Sequence, residues 1–105
     1  MDTTLWIDLK NPNTPPELMH PANLEQVLIT WVNTDPEPYY EHIKGKTFVA
    51  PAIWHKGKWY WWSSTTEDIL AEYGEYEGEK IDPAIDILAW IPFPMPFIVG
   101  YGEEV

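Results

Sequence analysis

The sequence predicts a small single domain of the α+β class, dominated by an antiparallel β-sheet with a central aromatic hairpin and one short helix. Three observations carry this. The segment VLITWV, Val27 to Val32, is apolar on both alternating faces except at Thr30, the pattern of a strand covered above and below. In FVAPAIWHKGKWYWW an apolar run from Phe48 meets Lys56-Gly57 and reverses into Trp59 to Trp62, which is the layout of a hairpin. The stretch TTEDILAEYG combines threonines able to cap, acids in the first turn and a terminal glycine, so it predicts a helix from Thr66 to Tyr73 with Thr65 or Thr66 as its cap.

A chain of 105 residues suits one domain spanning 1–105, and a domain of that size needs a dense core to be stable. Seven Trp, six Tyr and three Phe can supply it, since each buried aromatic removes roughly 150–250 Å² from water. In chain order, LWIDL (Leu5 to Leu9) alternates as a short strand and ends in the proline-rich NPNTPPELMHP. After Val32 comes NTDPEPYYEHIKGK, where Pro36 and Pro38 exclude a helix at the start and Gly45 marks a turn. So long a connection in a small domain is usually functional or disordered.

With Lys56-Gly57 as a two-residue loop, the hairpin pairs His55 with Lys58, Trp54 with Trp59, Ile53 with Tyr60, Ala52 with Trp61 and Pro51 with Trp62. Ala52, Trp54, Trp59 and Trp61 then share one face, and Ile53, Tyr60 and Trp62 the other. Lysine is not a favoured first residue of a type I′ turn, and a slip of one residue would exchange the faces. Pro51 cannot donate to a ladder, which places its arm at an edge or a bulge. Ile69, Leu70 and Tyr73 form one side of the expected helix, and a closing strand from Ile85 runs into alternate prolines at Pro92, Pro94 and Pro96.

Composition narrows the function. There is no cysteine, hence no disulfide, thiolate zinc site or cysteine nucleophile, as suits a reducing cytoplasm. The N-terminus lacks a signal-peptide pattern, and no apolar run approaches the roughly 18 residues of a membrane span, so a soluble cytoplasmic protein is expected. Seventeen acidic residues against six lysines give a net charge of -11, which opposes direct nucleic-acid binding. His20, His42 and His55 are scattered without metal-ligand spacing, so neither a metal nor a cofactor is expected. Ser63 and Ser64 lack a nucleophile elbow, and Glu72, Glu75 and Glu77 lie on a polar stretch where acids usually serve solubility. The expectation is a protein that is not an enzyme.

The order of several motifs resembles a known family. Trp6-Ile7, Pro15-Pro16, Val27 to Trp31, Gly57-Lys58-Trp59 and the terminal Trp90-Ile91-Pro92-Phe93-Pro94-Met95-Pro96 are similar to the phage and prophage family called domain of unknown function 551. The resemblance covers residues 5–96, with longer segments at Asn33 to Thr47 and Ser63 to Asp86 and a further tail at 97–105. It implies a bacteriophage or prophage origin and a compact antiparallel sheet, and brings no catalytic residue with it.

Two surfaces are candidates. Eight acids between Glu67 and Asp86 face one lysine, Lys80, and this run reads either as a solvated face or as a contact surface for a basic bacterial host protein. The residues assigned to such a contact are Glu67, Asp68, Glu72, Tyr73, Glu75, Tyr76, Glu77 and Glu79, with Trp61 and Trp62 as aromatic anchors. The function this implies is a phage or prophage accessory protein that acts by protein–protein binding, with an acidic anti-defence inhibitor as its sharpest form. The alternative is a module binding sugars or nucleobases on open rings of Tyr60, Trp61 and Trp62. Most of the indoles are expected in the core, Trp6, Trp31, Trp59 and Trp90 first among them. The apolar tail Phe97 to Tyr101 could cover a sheet edge or exchange between the copies of a homodimer.

Overall fold

A computed structural model describes residues 5–94; Met95, Pro96 and the tail 97–105, on which the edge-covering expectation rests, lie outside the described residues. Five strands, β1 (Ile7–Asp8), β2 (Glu25–Asn33), β3 (Thr47–His55), β4 (Lys58–Trp61) and β5 (Ile85–Pro92), form one sheet in the order β1-β5-β2-β3-β4, with every pairing antiparallel. One α-helix, α1 (Ser64–Tyr73), follows the hairpin. The architecture is the small α+β domain that the sequence predicts, with the aromatic hairpin at one side of the sheet, β4 being its edge strand, rather than at the centre. None of the described helices is long and apolar enough to cross a membrane.

The two-faced strand VLITWV lies in the middle of the sheet, between β5 and β3. Alternation sends Val27, Ile29 and Trp31 to one face. There Val27 and Ile29 meet Ala52 and Trp90 in a buried cluster, against which Trp31, Trp59, Trp61, Ile81 and Ile87 pack. A register shift after Thr30, which pairs with Ala89 while Trp31 pairs with Ile87, leaves Leu88 as the extra residue of a bulge. The bulge keeps both Ile87 and Trp90 on that face.

Among the described residues no α-helix covers this first face; loop chain with one 3-10 turn at Pro16–Leu18 does. The proline-rich segment after β1 runs back over it, fixed where the Trp90 indole Nε1 donates to the Leu18 carbonyl at 2.9 Å and where His20 stacks on Trp54 at 4.4 Å. Another cover comes from the connection to β5. It passes the β4 edge, with the Ile81 N–H donating to the Trp59 carbonyl at 3.1 Å, and turns the Ile81 side chain into the cluster. Only Trp90 of the seven tryptophans is fully buried, and the other six are half-buried.

The second face carries α1. Leu70 is fully buried against Ile53 and Tyr60, with Leu24, Trp62 and Tyr76 around them. The cap is Ser63 rather than Thr65 or Thr66: its side chain accepts from the Thr66 N–H at 3.0 Å, and Thr66 itself is buried as the third helical residue. Gly74 ends the helix at φ 86°, its N–H donating to the Leu70 carbonyl. Tyr73 does not share the buried side of Ile69 and Leu70; as the last helical residue before the Gly74 cap it stands 74% exposed.

The hairpin has the register derived from alternation, Ala52 with Trp61 through His55 with Lys58. Lys56 at φ 49° and Gly57 at φ 86° make the turn a type I′ loop. The unfavoured lysine is fixed from outside, its N–H donating to Asn23 Oδ1 at 2.9 Å. The Pro51 carbonyl accepts from the Trp62 N–H, so the missing donor of Pro51 points to the β4 side just where that strand ends.

Truncating Leu70 to Ala is expected to cost about 2–5 kcal/mol, as in other fully buried leucines, whereas Ser63→Ala should cost about 1 kcal/mol. Urea unfolding followed by tryptophan fluorescence measures both, and equal losses would contradict the roles given to cap and core.

Candidate functional site

The acidic run lies on α1 and the chain that follows it, and the fold sorts its residues into two groups. Asp68, Glu72 and Glu75 are exposed and take part in no ion pair among the described residues, and Tyr73, next to Glu72 in the chain, is exposed as well. Glu77 is also exposed but reaches the Lys80 ammonium at 3.3 Å. Inward, Glu67 is half-buried and accepts from the Trp62 indole Nε1 at 2.8 Å, while Tyr76 packs into the second cluster and Glu79 is half-buried. The structure thus leaves Asp68, Glu72, Tyr73 and Glu75 exposed and assigns Glu67 and Tyr76 to holding the fold.

The exposed acids do little for the helix. Asp68 and Glu72 are four residues apart on one side, an arrangement of like charges that destabilises a helix by about 0.2–0.5 kcal/mol. Glu72 also lies in the last turn, where the helix dipole disfavours a carboxylate. The Lys56 ammonium offsets part of this, lying 3.4 Å from the point where a Gly74 Cβ would be. Carboxylates in such positions are available to another molecule.

The aromatic residues do not form a row of open rings. Tyr60 is 1% exposed beneath α1. Trp61 ends β4 and Trp62 follows it, and the two turn to opposite faces: Trp61 meets Trp31 edge-on at 5.4 Å, while Trp62 is held by Glu67. The three residues named for sugar or nucleobase stacking therefore cannot present one platform, because a strand alternates its side chains.

His20, His42 and His55 remain apart, and no group of three or more potential ligands is gathered for a metal ion among the described residues. Ser63 is occupied as the helix cap. Sequence reasoning missed one feature, a cleft of about 590 Å³ between the β2–β3 connection and the start of β5. Its only sequence signal was the unusual length of that connection. No family model matches the chain, and no curated protein or solved structure matches it either.

His55, 7% exposed at the hairpin end, has an Nδ1 with no hydrogen-bond partner among the described residues. Burial, and then the neighbouring Lys56 charge, holds its pKa below the ordinary 6.5. Just below 6.5 the unfolded chain therefore takes up a proton that the folded chain refuses. Stability contributed by the neutral ring should be complete above 6.5 and decline as the pH falls from there toward the lowered folded value. Urea unfolding at pH 7.5 and 5.5 should show this loss, reduced in His55→Gln; an equal loss in both proteins would contradict it.

Proposed function

We infer that this chain is a non-enzymatic module that binds another protein, and that its contact surface is the acidic outer side of α1 with the residues just after it. The observation that carries this reading is that the carboxylates of Asp68, Glu72 and Glu75 are exposed and in no ion pair among the described residues, with the exposed Tyr73 in the same segment. Charge supplies attraction to a basic surface and the tyrosine supplies an apolar anchor, the two ingredients of a specific and rapidly formed contact. The indoles of the chain are spent on the sheet, which leaves the acids and tyrosines as the groups a partner would meet.

The motif order that resembles the phage and prophage family supports a finer version. In that version the protein acts in the cytoplasm of a bacterial host, and its partner is a host defence protein whose basic groove ordinarily takes nucleic acid. Carboxylates along a helix would stand in for phosphates there, while the net charge of -11 keeps the chain itself off nucleic acid.

The test is capture from a bacterial lysate on immobilised protein, compared with a variant carrying Asp68→Asn, Glu72→Gln and Glu75→Gln. The wild type should retain a basic protein at about 50 mM salt and release it at about 500 mM, where screening is complete within a few ångströms. The neutralised variant should retain several-fold less. Capture that survives high salt, or is the same for both proteins, would contradict the reading.

A further inference from the structure

The β2–β3 connection makes a second surface with a chemistry of its own. One wall of the cleft is this connection, from Asn33 through a 3-10 segment at Pro38–Ile43, and the other is the approach to β5 from Asp82 to Ile85. The walls are tied together: the N–H and the hydroxyl of Thr34 both donate to the Ala84 carbonyl, at 3.0 and 3.1 Å. Each wall is also braced within itself, the Asp35 N–H by Asn33 Oδ1 at 2.9 Å and the Ala84 N–H by Asp82 Oδ1 at 2.7 Å. The cleft is therefore built before any ligand arrives, which lowers the entropic cost of binding.

Its lining has two parts. Pro36, Ile43 and Ile85 are buried or half-buried and give apolar walls, and Tyr40 adds an aromatic ring that is 50% exposed. Asp35, Glu37 and Asp82 bring carboxylates from both walls. None of the three is in an ion pair among the described residues, and no basic residue lines the cleft. Lys44, the nearest lysine in chain order, reaches Glu41 at 4.0 Å instead.

We propose that this cleft takes an arginine- or lysine-bearing segment of a partner protein, its aliphatic stem against Ile43, Ile85 and Tyr40 and its cation among Asp35, Glu37 and Asp82. An apolar stem ending in a charge is the shape of these two side chains. A guanidinium or ammonium beside the Tyr40 ring gains a cation–π contact as well. A volume of about 590 Å³ exceeds one side chain and admits the flanking backbone of a short segment. The proposal rests on the preceding reading only in making the ligand part of a protein; the preference for a cation stands on the cleft.

The experiment is an amide NMR titration of the full chain with acetyl-Gly-Arg-Gly-amide, with acetyl-Gly-Gln-Gly-amide as the neutral counterpart. The arginine peptide should shift Asn33, Asp35, Glu37, Tyr40, Ala84 and Ile85, leave α1 unmoved, and bind the double variant Asp35→Asn, Glu37→Gln about tenfold more weakly. Neutralising Asp68 and Glu72 removes the same charge from α1 and should change the affinity less than about twofold. Shifts spread equally over α1, equal weakening by both variants, or equal binding of the glutamine peptide would overturn the proposal. Because the helix variants test α1 and the peptide tests the cleft, either surface can fail while the other stands.

Discussion

A two-faced sheet with one ten-residue helix to cover it is the constraint from which the rest of this structure follows. The middle strand β2 sends apolar side chains to both faces, and both must be removed from water. The helix covers one face at the Ile53 and Tyr60 end. The other face is left to loop chain with a single 3-10 turn at Pro16–Leu18, and such chain must find partners for its own carbonyls and amides when it is buried. Tryptophan meets that need, because an indole offers a large apolar body and one donor on the same side chain. The bond from Trp90 Nε1 to the Leu18 carbonyl joins residues 72 positions apart and turns a proline-rich loop into a layer of the fold.

This use of indole decides what remains for function. Trp62 is held by Glu67, Trp54 lies under His20, and Trp61 is packed on Trp31, so the aromatic richness that draws attention in the sequence is taken up by packing. Free surface chemistry then falls to carboxylates and tyrosines. Two groups of them stand out: the acids at the end of α1, where Glu72 stands against the helix dipole, and the cleft beside β5, where acids stand over apolar walls. Both suit a cationic partner, and both are built on segments that the connection between strands could have made shorter.

Much of the fold was legible because alternation is a strong signal. The hairpin register and the two faces follow from counting outward from Lys56-Gly57, and the position of β2 follows from its being apolar on both sides. The helix cap was less legible, since Ser63, Ser64, Thr65 and Thr66 can each serve, and the end of β4 selects among them. Helical spacing puts Tyr73 on the side of Leu70, yet as the last residue before the Gly74 cap it stays exposed. The division of the acidic run, with Glu67 turned to Trp62 and Asp68 to solvent, depends on that same tertiary placement. Of the cleft only the unusual length of one wall was legible, because its walls are about fifty residues apart in the chain and are joined only when Thr34 meets Ala84.

The most direct measurement is hydrogen exchange at the Trp90 indole Nε1, compared with the backbone amide of Ile29 in the middle strand. If the loop around Leu18 is a true layer of the core, the indole proton should exchange only when the whole domain unfolds, at the rate of Ile29 and with the same dependence on denaturant. An indole proton that exchanges far faster, through local opening that leaves Ile29 protected, would contradict the account.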